Sequence, residues 1–168
     1  MNNRITQFSA CRKYRYVLWR GWDTSDCEYL MVIGVNPSIA NEADDDPTVT
    51  ACLRVAKELG FGALCMVNLF AWVDTYPGQM RKAAAPVGPE NDRWLLECAR
   101  DAGLILAAWG RHGTHLDRDE DLMRLLQEYD VHHLKLNNDF TPHHPLYLKK
   151  GIKPTIYAGR TVLAAAET

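Results

Sequence analysis

The sequence predicts an α/β fold: a three-layer α/β/α sandwich around a mostly parallel central sheet. Three observations carry this. Several short runs are apolar on both faces, as strands buried on both sides of a sheet must be. Stretches with apolar residues at helical spacing alternate with them. No internal repeat, low-complexity tract or linker interrupts the 168 residues, a length that suits a single domain, 1–168, with a sizeable core.

The elements follow in order. "YRYVLWR" (Tyr14–Arg20) is β-branched and aromatic and reads as a strand. "YLMVIGV" (Tyr29–Val35) is apolar throughout and reads as a central parallel strand. A helix then opens with Asp46 as N-cap and Pro47 at its first position. Val49, Cys52, Leu53, Ala56 and Leu59 supply its apolar face, and Gly60 ends it. "ALCMVNLFAW" (Ala63–Trp72) is a second buried strand, followed by a long connection with at most a helical turn. A helix spans Pro89 to about Asp101, with Gly103 beyond it, and "LILAAWG" (Leu104–Gly110) is the third buried strand. "DRDEDLMRLLQEYD" is an amphipathic helix with Leu122, Leu125 and Leu126 inward. "VHHLKL" reads as a strand, "TPHHPLYLKKG" as a loop leading to a short helix, and "PTIYAGR" as a last short strand.

Composition narrows the function classes. Apolar residues make up 47% and charged residues 24%, the balance of an ordinary soluble globular protein. A net charge of −2 argues against a protein that coats nucleic acid non-specifically. No apolar run approaches the roughly 18 residues of a membrane span. "MNNRITQFSA" lacks the apolar core of a secretory signal. The five cysteines (Cys11, Cys27, Cys52, Cys65, Cys98) are odd in number and scattered, without a C-x-x-C pair. That fits reduced thiols in a cytoplasm, with no zinc or iron–sulfur site and no cofactor expected. Nothing in the sequence speaks to oligomeric state.

In a parallel sheet, ligands bind outside the carboxyl ends of the strands. That makes Asn36, Asn68, Gly110, His112, His143 and His144 the short list. Carboxamides offer a donor and an acceptor side by side, and a neutral histidine donates to an oxygen gaining charge. Such a set suits a nucleobase better than a phosphate, and neither a P-loop nor a G-x-G-x-x-G motif is present.

Structural alternatives stand beside each residue. Asn36-Pro37 is a common turn dipeptide. Asn68 could simply bond a neighbouring loop. Asp44, Asp45 and Asp46 fit a solvated turn and helix cap, with Asp45 as a water activator the minority alternative. His132 and His133 are adjacent in a strand and face opposite ways. His112 and His115 have ligand-like spacing but no acidic or cysteine partner. The five tryptophans fit core or sheet-edge packing, while Phe70 or Trp72 could stack on a base.

Four motifs, in order, resemble those of the uracil-DNA glycosylase superfamily. "GVNPS" is similar to the G-[IMV]-N-P-G motif of its mismatch-specific branch. "CMVNLFAW" resembles the strand whose asparagine reads uracil. "AAWGRHG" resembles L-L-W-G-x-H, and "VHHLKLNNDFTPHHPLYL" resembles the region that carries the catalytic histidine. Nearly the full chain also resembles a family defined as a domain of unknown function, number 1643, which implies no activity.

The glycosylase resemblance implies that Asn36 orients water or the sugar, Asn68 reads the base edge and His144 stabilises the departing base anion. Pro37 and Pro145 would stiffen their loops, with Pro37, Ser38 and Phe70 on the substrate side and Asp45, His112 and His143 as further candidates. An amide at Asn36 holds water without placing negative charge beside the leaving base. Ser38 stands where the main branch has the tyrosine that blocks thymine, and Leu146 where the family has a phosphate-pinching serine; the lost serine and the acidic balance favour a free nucleoside or nucleotide. The implied functions are N-glycosidic bond hydrolysis on a base in DNA, an enzyme on a free or modified nucleoside or nucleotide in a phage or mobile-element setting, or a non-catalytic nucleic-acid-binding module.

Overall fold

The computed structural model describes residues 3–23, 28–38 and 44–167; Cys27 lies outside them. The chain runs β1 (Asn3–Phe8), β2 (Arg15–Gly21), β3 (Tyr29–Gly34), α1 (Pro47–Glu58), β4 (Ala63–Asn68), α2 (Pro77–Met80), α3 (Asn91–Arg100) and β5 (Leu104–Ala107). It continues through a 3-10 segment (Arg111–Asp117), α4 (Arg118–Leu125), β6 (Val131–His133), a 3-10 turn (Pro145–Tyr147), β7 (Thr155–Ile156) and α5 (Arg160–Ala166).

The seven strands of the described residues form one sheet in the order β1-β2-β4-β3-β5-β6-β7. The fold is α/β, but the sheet is mixed rather than mostly parallel. β4, β3, β5 and β6 run parallel, whereas β1, β2 and β7 pair antiparallel at the flanks. β1 was not expected from the sequence. It is an edge strand, mostly exposed, so its residues lack the apolar pattern that marks a buried strand. The expected last strand shrinks to the two residues of β7, and Arg160 instead opens α5.

The parallel core explains the apolar runs. Along β3, Leu30 and Val32 face one side while Met31 and Ile33 face the other. Leu64 and Met66 against Cys65 and Val67 repeat this on β4. The first side packs on α1 through Val49, Cys52, Val55 and Ala56. The second packs on α3 through Leu95 and Ala99 and on α4 through Leu122. α1 starts where Asp46 and Pro47 predict, with Asp46 Oδ1 accepting from the Val49 N–H at 2.8 Å. No helix among the described residues is long and apolar enough to cross a membrane.

β2 contains an irregularity that bears on the site. Gln7 pairs with Val17, but Phe8 pairs with Arg15, so Tyr16 is an extra residue. Tyr16 and Val17 both join the core on the α3 side. Alternation therefore restarts one residue out of step, and Arg15 turns to the α1 side.

Candidate functional site

A cleft of about 310 Å³ opens between the N-terminus of α1 and the carboxyl ends of β3, β4 and β5. Gly34, Asn68 and Ala108 line it, continuing the α1-side faces of their strands, and Asn36, Ser38, His112 and His144 join them from the loops beyond.

Asn36 lies just past β3. Its Nδ2 donates to the backbone carbonyls of Asp74 at 2.8 Å and Pro37 at 3.2 Å, which orients the amide. Its Oδ1 has no partner among the described residues, so what Asn36 offers the cleft is an acceptor. Pro37 is buried and does not line the cleft; its carbonyl also accepts from the Asp74 N–H at 3.0 Å, stitching the two loops together.

Asn68 is the last residue of β4 and only 6% exposed, yet its carboxamide has no hydrogen-bond partner among the described residues. It lies across Gly34, its register partner on β3; a Cβ there would sit 2.8 Å from Asn68 Oδ1. The strand end is held from behind. Fully buried Asn91, at the start of α3, donates Nδ2 to the carbonyls of Asn68 and Leu69, each at 3.0 Å. Arg118 Nε donates to the Leu69 carbonyl as well, at 3.0 Å.

His144 precedes the turn begun by Pro145. Its Nδ1 accepts the Leu146 N–H at 3.3 Å, which leaves the ring proton on Nε2. Burial lowers its pKa, the neighbouring His143 lowers it further, and Asp46 opposes both. The ring is thus a neutral donor at physiological pH. Its loop is fastened to the sheet. Gly110, at φ 64° and ψ −168° where side chains are strained, donates its N–H to Pro142 at 2.9 Å.

Of the other candidates, Ser38 and His112 also line the cleft, while His143, Asp45 and Phe70 do not. Ser38 donates its hydroxyl to Asp46 Oδ2 at 2.7 Å. His112 is exposed at the rim, with Arg81 donating to its Nδ1 at 2.7 Å; partial desolvation of the ring and the Arg81 charge lower its pKa. His143 donates Nδ1 to the His144 carbonyl at 2.9 Å and lies outside the cleft. Asp45 pairs with Arg4 and Arg20, each at 2.8 Å, and lines a separate hollow. Phe70 is fully buried on the α3 side, its ring against His115, and does not reach the cleft. β4 ends at Asn68, so the alternation that would set Phe70 beside it does not hold. Among the described residues, no group of three or more metal-binding side chains comes together.

A profile of a family described as proteins of unknown function, DUF1643, matches residues 15–146, most of the chain. The chain belongs to the DUF1643 family. No curated protein and no solved structure matches it, so the glycosylase resemblance stands on its motifs alone.

In this DUF1643 chain the cleft also contains residues that strand-end reasoning missed. Arg15, Asp46 and Thr48 form part of its wall. The signal for Arg15 was a cation set between two tyrosines at the start of a run of strand formers. Asn91, in contrast, reads as an ordinary polar residue near a helix start, and nothing local marks it as a clamp on β4.

Proposed function

We propose that this chain is a nucleobase-recognising hydrolase that cleaves an N-glycosidic bond, built on a three-layer sandwich of the uracil-DNA glycosylase kind and working in the cytoplasm. The observation that carries this reading is the meeting of two groups in one cleft. One is the unpartnered carboxamide of Asn68, and the other is the neutral imidazole of His144 with its proton on Nε2. A planar base edge with adjacent donor and acceptor satisfies the first. The second suits a base oxygen that gains negative charge as the glycosidic bond breaks. Asn36 Oδ1 accepts from the attacking water and adds no charge beside the departing anion.

Between a base in a DNA strand and a free nucleoside or nucleotide, the second is favoured. The cleft volume of about 310 Å³ is at the small end for ligand sites, and Leu146 offers no hydroxyl to pinch a phosphate backbone.

The test is single-turnover cleavage of uracil-containing single strands and a panel of nucleosides and nucleotides. His144→Ala should lower kcat by about 10²–10³ with KM little changed, because that hydrogen bond strengthens only in the transition state. Asn68→Ala should mainly weaken binding or relax base selectivity. A wild type that cleaves nothing across the panel overturns the hydrolase reading, and binding without turnover assigns the cleft to a recognition module.

A further inference from the structure

Arg15 is the unexplained group in the cleft. It is 6% exposed and takes part in the cleft wall. Its backbone N–H is spent on the Ala71 carbonyl at 2.9 Å, but its guanidinium has no hydrogen bond or ion pair among the described residues. The nearest candidate partner, Asp46, acts on it only at a distance. Asp46 has given one oxygen to the Val49 N–H and the other to the Ser38 hydroxyl. Burial pulls the Arg15 pKa down to about 10, with the Asp46 charge opposing and Arg20 adding to the fall, so the group stays charged at neutral pH. A desolvated cation with five unspent donors is costly, and proteins rarely keep one without a partner. Here the bulge at Tyr16 turns it away from the core and into the opening.

We propose that Arg15 anchors the phosphate of a nucleotide ligand, with the base held at Asn68 on the same cleft. The anchor deepens the nucleobase reading and rests on it for the ligand's other end. Arg15 pairs with phosphate oxygens in the two-pronged geometry that its planar fork allows, and Thr48 lines the same cleft. The substrate class becomes a nucleotide in preference to a bare nucleoside. Phosphate provides the missing counter-charge, so the complex removes a cost that the empty cleft carries.

The experiment is a binding and melting series on the full chain. The ligands are inorganic phosphate, 2′-deoxyuridine, 2′-deoxyuridine 5′-monophosphate and a single-stranded deoxyuridine oligonucleotide. The proteins are wild type, Arg15→Met and Arg15→Lys. Wild type should bind the monophosphate at least about tenfold tighter than the nucleoside, as a charge-assisted pair implies. Arg15→Met should erase that difference while leaving nucleoside affinity intact, and Arg15→Lys should keep part of it. Without ligand, Arg15→Met should melt at or above wild type, since an apolar replacement removes an unpaired buried charge. A purely structural Arg15 gives the reverse, an Arg15→Met that melts well below wild type, and that overturns the anchor. So does equal wild-type affinity for nucleoside and monophosphate, or no binding of any phosphate-bearing ligand. If only inorganic phosphate binds, and only with Arg15 present, the anchor stands and the base reading falls. A strand bound more tightly than the monophosphate, with the same dependence on Arg15, places the phosphate in a polymer.

Discussion

Asn36 donates its side-chain amide to the backbone carbonyl of Asp74 at 2.8 Å, joining the loop after β3 to the loop after β4. The contact settles what an acid at this position would do. Asn36→Asp places a carboxylate oxygen against two carbonyl oxygens, because Pro37 shares the same donor. The exchange should cost about 1–3 kcal/mol of stability, the penalty of a lost donor facing acceptors in a half-buried site. It should not speed the reaction. Urea unfolding of wild type and variant measures the loss; an unchanged midpoint contradicts the assigned amide orientation.

Gly34 matters for what it leaves empty. A methyl group there would lie 2.8 Å from Asn68 Oδ1, closer than packed atoms tolerate. The carboxamide is the softer neighbour and should swing away. Gly34→Ala should therefore weaken ligand binding as much as Asn68→Ala does, while lowering stability far less than a core substitution. Titration of both variants against the same ligand, with a melt of each, is the check. Full affinity in Gly34→Ala would show that Asn68 does not face the ligand.

Asn91 supports Asn68 from the opposite side of the strand. Removing its two hydrogen bonds in Asn91→Ala leaves the buried Asn68 carbonyl without its donor from Asn91, while Arg118 still serves Leu69. A loss of about 2–4 kcal/mol is expected, from one unsatisfied buried carbonyl plus a small cavity. Denaturant titration reads it directly; a loss below about 1 kcal/mol would mean that the strand end holds without the clamp.

The histidines set a pH dependence. Burial lowers the pKa values of His112, His133 and His144 in the folded chain. The unfolded chain titrates these groups near 6.5, so below that pH it takes up protons that the folded chain refuses. Stability should be at its plateau above about pH 6.5 and fall as the pH drops below it. Any reaction that uses the neutral His144 should show an acid limb below that same point. Melting temperatures from pH 8 to pH 5 test the first statement, and a flat profile contradicts it. His144→Gln should shallow the slope.

Much of the fold was legible because buried parallel strands announce themselves. Tyr29–Gly34 and Ala63–Asn68 are apolar on both faces since both faces are covered, and α1 carries its start signal in Asp46 and Pro47. β1 was hidden for the converse reason: an exposed edge needs no apolar pattern. α5 buries none of its residues, so no periodic face marks it. In the cleft, strand-end reasoning reaches Asn36, just past β3, and Asn68, the last residue of β4, whereas His144 sits in a loop well past β6 and was marked by its motif. Phe70 was not readable, because period-two reasoning stops at the last strand residue. Asp45 and Asp46 are adjacent in sequence but separated by role, one in ion pairs with Arg4 and the buried Arg20 and the other capping a helix inside the cleft.

The extra residue at Tyr16 has a consequence for length. A strand encodes facing by odd and even count, and one inserted residue inverts the parity of everything before it. Losing the bulge at unchanged length would carry the guanidinium to the α3 side, among aromatic rings, whereas deleting Tyr16 would restore regular alternation and leave it facing the cleft. The charge of the cleft is thus written partly as arithmetic, and a relative that closes the bulge without dropping a residue has a different cleft even if its arginine aligns.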